Sequence, residues 1–209
     1  MSATRLLILG AVRIFQPVHG YYLRRELQSW HVDEWAHLNP GSIYNALRTL
    51  TAEGMLREVA TESADGRPAR TTYELTNDGE TEFLYLLREA LRTVDPFSPD
   101  RTFTAFSFAF ALSREEVIAT LESRVAQLEA SHRTERFRIE EILTDPATPN
   151  HVAELARLAD AWQQGELRFT RDLLKRIKAG AIAFAGEERA PVSARSAPLR
   201  EVPPLDADG

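Results

Sequence analysis

At 209 residues, 44% of them hydrophobic, the chain can bury a sizeable core and holds either one large domain or two small ones. It has no cysteine, which excludes disulfide frameworks, thiol nucleophiles and cysteine zinc sites, and no run approaches the roughly 18 apolar residues of a membrane span. The first residues lack the charged, apolar and small-residue series of a signal peptide, so a cytoplasmic protein is expected; 25 basic against 31 acidic residues give it a net charge of −6.

Lysine occurs only at Lys175 and Lys178, so nearly all the positive charge is guanidinium, the group suited to forked contacts with phosphate and guanine. Where those arginines sit matters more than the net charge, because affinity for nucleic acid comes from cations placed locally against phosphates.

Residues 4–15 are almost continuously apolar, too short for a membrane, and predict a buried first helix with Thr4 as its cap. Pro17 ends it. Gly20 opens a second helix in which Leu23, Leu27 and Trp30 share a face, leaving Arg24, Arg25 and Glu26 outward. A solvated loop over 31–38 leads to Asn39-Pro40-Gly41-Ser42, a strong helix start with Asn39 as cap and Pro40 in the first turn. Along the helix at 40–53, Ile43, Leu47 and Leu50 form the inner stripe and Ser42, Tyr44, Asn45 and Arg48 fall away from it; Gly54 closes it in a left-handed cap. A hairpin follows, with strands at 55–60 and 71–75 around the turn-rich segment Ser63–Pro68. Thr76 or Asn77 starts the next helix, Asn77 with Glu80 fitting a capping box, and it runs to about Val94.

The segment 95–99, with two prolines, marks the boundary between a first domain at 1–95 and a second at 96–185. Ser113 and Glu116 open a long helix to about Leu143, where Leu121, Val125, Leu128, His132, Glu135, Ile139 and Ile142 recur at alternating steps of three and four. After the break at 145–149 another helix repeats the pattern with Val152, Leu155, Ala159, Trp162, Glu166, Phe169 and Leu173. Two such narrow seams predict an interface between chains, with Leu121, Val125, Leu128, Ile139, Val152, Leu155, Trp162 and Phe169 facing a second copy. His132 and Glu135 are either a polar pair at the wet edge of the seam or a polar element fixing its register. Residues 186–209 are rich in Pro, Ala, Arg and acids without periodicity and read as a disordered tail.

Three helices and a hairpin in this order form a winged helix-turn-helix, whose chemistry is the reading of double-stranded DNA by a helix in the major groove and a basic ribbon beside it. On this reading the amides of Gly41 and Ser42 receive a phosphate, Tyr44, Asn45 and Arg48 reach the groove, Arg67 and Arg70 flank the wing tip, and Arg24 and Arg25 hold the flanking backbone. Tyr21 and Tyr73 are assigned to the core. The fold class expected is mainly helical, with a small β-hairpin wing and a C-terminal helical dimerisation region.

The residues of this first part resemble the PadR-type transcriptional regulators. The matching words are His19-Gly20-Tyr21, Pro40-Gly41-Ser42-Ile43-Tyr44, Ala46-Leu47, Leu50 and Glu53-Gly54-Met55-Leu56, then Gly66-Arg67-Pro68, Tyr73-Glu74-Leu75-Thr76 and Gly79, over roughly residues 5–92. The resemblance implies a homodimer on an operator of approximate two-fold symmetry, repressing in most cases and released by a small aromatic or drug-like effector. Phe106, Phe110, Trp162 and Phe169 either line such an effector site or, as is more common for aromatic residues, are simply core. The family's lysines along the second helix and wing are replaced here by arginines, which keep phosphate contact.

Three rival readings each turn on a feature of the sequence. A winged-helix adaptor binding another protein draws on the acidic net charge. His31-x-Asp33-Glu34-x-x-His37 suggests a metal-responsive regulator, although the spacing contains no helical i, i+4 pair and no metal site is expected. An enzyme would need a site outside the known motifs: there is no phosphate-binding glycine loop, nucleophile elbow or zinc-binding His-Glu helix, and neither catalysis nor a cofactor is expected.

Overall fold

A computed structural model of the chain describes residues 3–60, 71–95, 97–149, 151–184 and 187. The first helix, α1 (Ala3–Phe15), begins one residue before Thr4, so Thr4 lies inside it rather than capping it. Leu6 through Val12 are all buried, as the unbroken apolar run demands: α2 (Gly20–Ser29), α4 (Pro40–Ala52), α5 (Asn77–Arg92) and α6 (Pro99–Phe108) pack around it. Between α1 and α2 lies a two-residue strand that the sequence pattern did not announce, β1 (Val18–His19). It pairs antiparallel with β3 (Thr71–Leu75), which pairs on its other edge with β2 (Leu56–Ala60), giving the order β1-β3-β2. The two strands expected for the hairpin pair with Leu56 opposite Leu75 and Val59 opposite Thr72. The wing tip, and with it Arg67 and Arg70, lies outside the described residues.

The segment 31–38 is not wholly a solvated loop. It contains a single turn, α3 (Val32–Trp35), with Val32 and Leu38 buried and Trp35 Nε1 donating to Trp30 O at 2.9 Å. His31, Asp33, Glu34 and His37 stay on its outside, and among the described residues no group of three or more His, Asp or Glu is assembled that could hold a metal. At the start of α5 the cap is Thr76, whose Oγ1 accepts from Gly79 N at 3.0 Å; Glu80 turns to Arg13 at 2.9 Å instead of closing a box with Asn77.

Past the break at 93–98 the core does not stop. Phe108 of α6 packs edge-on against Phe83 and Trp30, and a turn of 3-10 helix (Ala109–Ala111) leads to α7 (Arg114–Thr144), whose Val117 and Leu121 join the same buried cluster as α1. Ser113 caps α7 by accepting from Glu116 N at 3.2 Å. Then α8 (His151–Lys178) returns antiparallel along α7, tied by Lys178 to Glu122, Arg171 to Glu129, and His132 to Asp160.

This corrects the seam. The row of α7 faces α8 of the same chain, so Leu121 and Leu128, 0% and 1% exposed, are used up inside the molecule and have no surface to offer a second copy. On α8 the inward row is Ala153, Ala156, Asp160, Gln163, Leu167 and Thr170, one residue behind the apolar row read from the sequence. One residue is about 100° of helix. From the apolar row Leu155, Trp162 and Phe169 are therefore turned outward, 65%, 53% and 45% exposed, while Ala159 stays buried and Leu173 packs against the core. His132 Nδ1 meets Asp160 Oδ1 at 2.5 Å and Gln164 Nε2 donates to the other Asp160 oxygen at 2.7 Å, so the polar interruption crosses between the two helices of one hairpin.

After α8 the chain folds back. Phe184 is buried, and Arg114 donates to Ile177 O, Ile182 O and both oxygens of Glu187. The residues assigned to a tail lie outside the described ones from 188 on. No described helix is long and apolar enough to cross a membrane.

Candidate nucleic-acid interface

The geometry of α4 follows from its first four residues. Asn39, extended at φ −83 and ψ 163, accepts Ser42 N at 2.9 Å through Oδ1, and Pro40 needs no amide partner. With Ile43, Leu47 and Leu50 inward, the outer face carries Gly41, Tyr44, Asn45 and Arg48, all exposed. Arg48 Nη2 donates to Asn45 Oδ1 at 3.2 Å, one turn apart, so the two side chains expected to read bases stand side by side. The Ser42 amide, expected to be open to a phosphate, is already taken by Asn39, and the Ser42 hydroxyl donates to the same oxygen at 3.1 Å; only Gly41 at that end remains uncommitted to the cap. This is a correction with a simple cause: a good N-cap and a vacant N-terminal amide compete for the same hydrogen.

Tyr44 serves two purposes. Its ring lies across the start of α2, where a side chain on Gly20 would come within 3.1 Å of Tyr44 Cε1, while the residue keeps 40% of its surface exposed. Burial first, then the Glu58 carboxylate and Tyr44, push the Tyr73 phenol above its ordinary value. Tyr44 thus packs α4 against the start of α2, and Tyr73 is half-buried against the core as expected.

On α2 the inward positions are Gly20, Leu23 and Leu27. Tyr21, assigned to the core from its sequence, is instead 63% exposed, because it follows Gly20 by a single step and so points about 100° away from the inward stripe. The Arg24 guanidinium sits 5.1 Å from the centre of the Tyr21 ring, and Arg25 sits 4.9 Å from that of Tyr22, which is itself braced edge-on by Phe15. Two arginines expected to hold backbone phosphates are therefore carried on two tyrosine faces. The i, i+3 spacing of Tyr21 to Arg24 and Tyr22 to Arg25 could have revealed this in the sequence. Elsewhere in this part, glutamates that add to the acidic balance are neutralised: Arg5 holds Glu53 and Glu82, and Arg13 holds Glu80.

Residues 8–84, the stretch from α1 through α4 and the two hairpin strands into α5, match the model of the Transcriptional regulator PadR-like family. Over these residues the chain is similar to a PadR-like domain. That family is described as one of transcriptional regulators. No curated protein matches the chain in sequence. Among solved structures it is similar to Bacillus subtilis PadR in complex with operator DNA, at 20% identity and a TM-score of 0.36, covering 83% of this chain and 98% of that one. The same protein in complex with p-coumaric acid gives 19% identity, 84% and 99% coverage and a TM-score of 0.34. A PadR-like transcriptional regulator from Bacillus cereus gives 16%, 83%, 94% and 0.34.

Beyond the PadR-like domain, the aromatic residues assigned to an effector are only partly brought together. Phe106 and Phe169 meet edge to face at 5.1 Å, while Phe110 sits in the 3-10 turn, 42% exposed, and Trp162 lies two turns before Phe169 on the outside of α8. Phe103 stacks on Trp35 at 5.8 Å, and Phe108 belongs to the core.

Proposed function

We propose that this PadR-like regulator is a homodimeric repressor that occludes a promoter by binding a roughly two-fold-symmetric operator, and that a small aromatic effector releases it. The observation that carries the reading is the exposed face of α4, where Asn45 and Arg48 stand together beyond Tyr44, beside the Tyr-braced Arg24 and Arg25 of α2. Asn pairs in forked fashion with adenine and Arg with guanine in the major groove; arginines on α2 and, by their place between the two wing strands, Arg67 and Arg70 contact backbone. Residues 1–95 read DNA, and 96–185 carry dimerisation and the effector response.

The outward row of α8, Leu155, Leu158, Trp162 and Phe169, supports a second copy as the partner, since aliphatic and indole surface in this quantity along one helix is rarely left to water. The Phe106–Phe169 pair supports an aromatic effector at the root of the hairpin. A cytoplasmic location goes with this reading.

Selection of bound genomic fragments, followed by gel shift at two salt concentrations, tests it. Arg48→Ala should weaken binding and relax the preferred sequence, and Arg67→Ala should weaken binding on all sequences and lower the salt slope by about one. No enriched fragment, or binding indifferent to salt, would favour a protein-binding adaptor instead.

A further inference from the structure

Arg124 is buried to 1% exposure at the point where the PadR-like domain meets the hairpin. Helix α5, the last of that domain, ends without a glycine: its C-cap residue Thr93 is extended at φ −80 and ψ 124, and the final carbonyls have no following turn of their own to satisfy them. Arg124 reaches them from α7. Its Nη1 donates to Leu91 O at 2.8 Å and Thr93 O at 2.7 Å, and a positive charge at this end of a helix also suits the helix dipole. The other side of the same guanidinium grips Glu166 of α8, with Nε and Nη2 at 2.7 and 2.6 Å from Oε1, while Nη2 donates to Thr102 Oγ1 of α6 at 3.1 Å. The Phe106 ring, which abuts Phe169, lies 5.7 Å from its carbon.

One planar group thus touches α5, α6 and α8 from α7. Apolar side chains would fill the same space without burying a charge, and breaking such a pair leaves a carboxylate and two carbonyls stranded. What the guanidinium adds is direction: its donors lie in one plane at fixed angles, so the four helices can satisfy it in one relative setting. A lysine, with a freely rotating point charge, lacks that constraint.

We infer that Arg124 is the positioning residue that sets the angle between the DNA-reading head and the α7–α8 hairpin, and so the spacing of operator half-sites that a dimer accepts. The inference rests on the dimeric, operator-binding reading above.

The test uses the full-length protein and an operator recovered by fragment selection, with its central spacer changed by one base pair in either direction. Each such step turns one half-site against the other by roughly 35°. Wild type should lose about tenfold or more in affinity on the altered spacers. Arg124→Lys should discriminate among the three by less than about threefold, while binding an isolated half-site within about twofold of wild type. Glu166→Gln, which keeps the carbonyl bonds of Arg124, should relax spacing in the same direction and decides alone if Arg124→Lys does not fold; sedimentation checks that the variants associate as wild type does. Variants that melt at lower temperature yet keep the wild-type spacing ratio would show Arg124 to be structural only and overturn the proposal. Wild type that selects no operator fails the regulator reading itself and takes this proposal with it.

Discussion

Replacing Gly79 by alanine should destabilise the protein by about 3–5 kcal/mol, and the estimate can be built from the turn that Gly79 supports. A β-carbon added there would lie 3.0 Å from both Met55 C and Leu75 Cδ2, and closer still to Met55 O, so it would drive into a backbone carbonyl that no rotamer change can move. That carbonyl accepts Thr76 N at 3.1 Å and Thr76 Oγ1 at 3.2 Å, and Thr76 Oγ1 in turn accepts Gly79 N at 3.0 Å. Moving it by the ångström or so needed for ordinary contact gives up two hydrogen bonds worth about 1 kcal/mol each, and adds an overpacking cost of about 1–3 kcal/mol. Urea unfolding followed by tryptophan fluorescence, at fixed protein concentration, measures the difference. Gly165→Ala is the control: nothing lies within 4 Å of an added β-carbon in mid-α8, so it should gain up to about 1 kcal/mol from helix propensity alone. A Gly79→Ala variant within about 1 kcal/mol of wild type would refute the idea that this contact locks α5 against the base of the wing.

Gly10→Ala places a methyl 2.6 Å from Phe108 Cζ, whose ring is hemmed in by Phe83 and Trp30, and should cost about 1–3 kcal/mol, partly relieved by adding Phe108→Leu; absence of that rescue in a double-mutant cycle would contradict the packing of α6 on α1. Asn39→Ala should lose about 1 kcal/mol from the α4 cap, whereas Asn39→Asp should keep most of it, as read by thermal melting. Hydrogen bonds from Arg114, then from Phe184 N, hold the Glu187 carboxyl below its ordinary range. Its folded value lying below the unfolded one, the docking this pair gives the segment after α8 is complete above the ordinary glutamate value near about pH 4.3 and is lost as pH falls through the lower folded value. Measured against the intrinsic rate at each pH, protection of the amides at 182–184 and 187 should therefore fall in acid, Glu187→Gln should lose it already at neutral pH, and equal protection in variant and wild type at neutral pH would count against the clamp.

The sequence was most legible where a structure is written in a few neighbouring residues. Asn39-Pro40 and Gly54 bracket α4 by capping rules that need no knowledge of the rest of the chain, and Ser113 does the same for α7. It was least legible where a distant partner decides. β1 is two residues long, too short to show any period, and exists because Thr72 and Tyr73 lie opposite it. On α8 the inward row from Ala153 to Thr170 is mostly alanine, aspartate, glutamine and threonine, with Leu167 its one large apolar side chain, while Leu155, Trp162 and Phe169 occupy the neighbouring row; hydrophobicity alone selects the outer face. Arg124 sits one turn from Leu121 on the inward side of α7, where a charged residue is ordinarily assigned to solvent, and its partners are scattered over three other helices. On the outer faces of α2 and α4 the Ser42 amide and Tyr21 followed geometry that binary patterning does not encode.

The hairpin of α7 and α8 is also a lever. From Arg124 to the end of α7 at Thr144 there are 20 residues, which at 1.5 Å each is about 30 Å of stiff arm beyond its root. A tilt of roughly 5° at that root carries the tip through about 2.6 Å over such a length. Displacements of that size are more than a close-packed surface can absorb by compression, so a disturbance too small to disrupt the root would be felt at the far end as a mismatch of whole side chains.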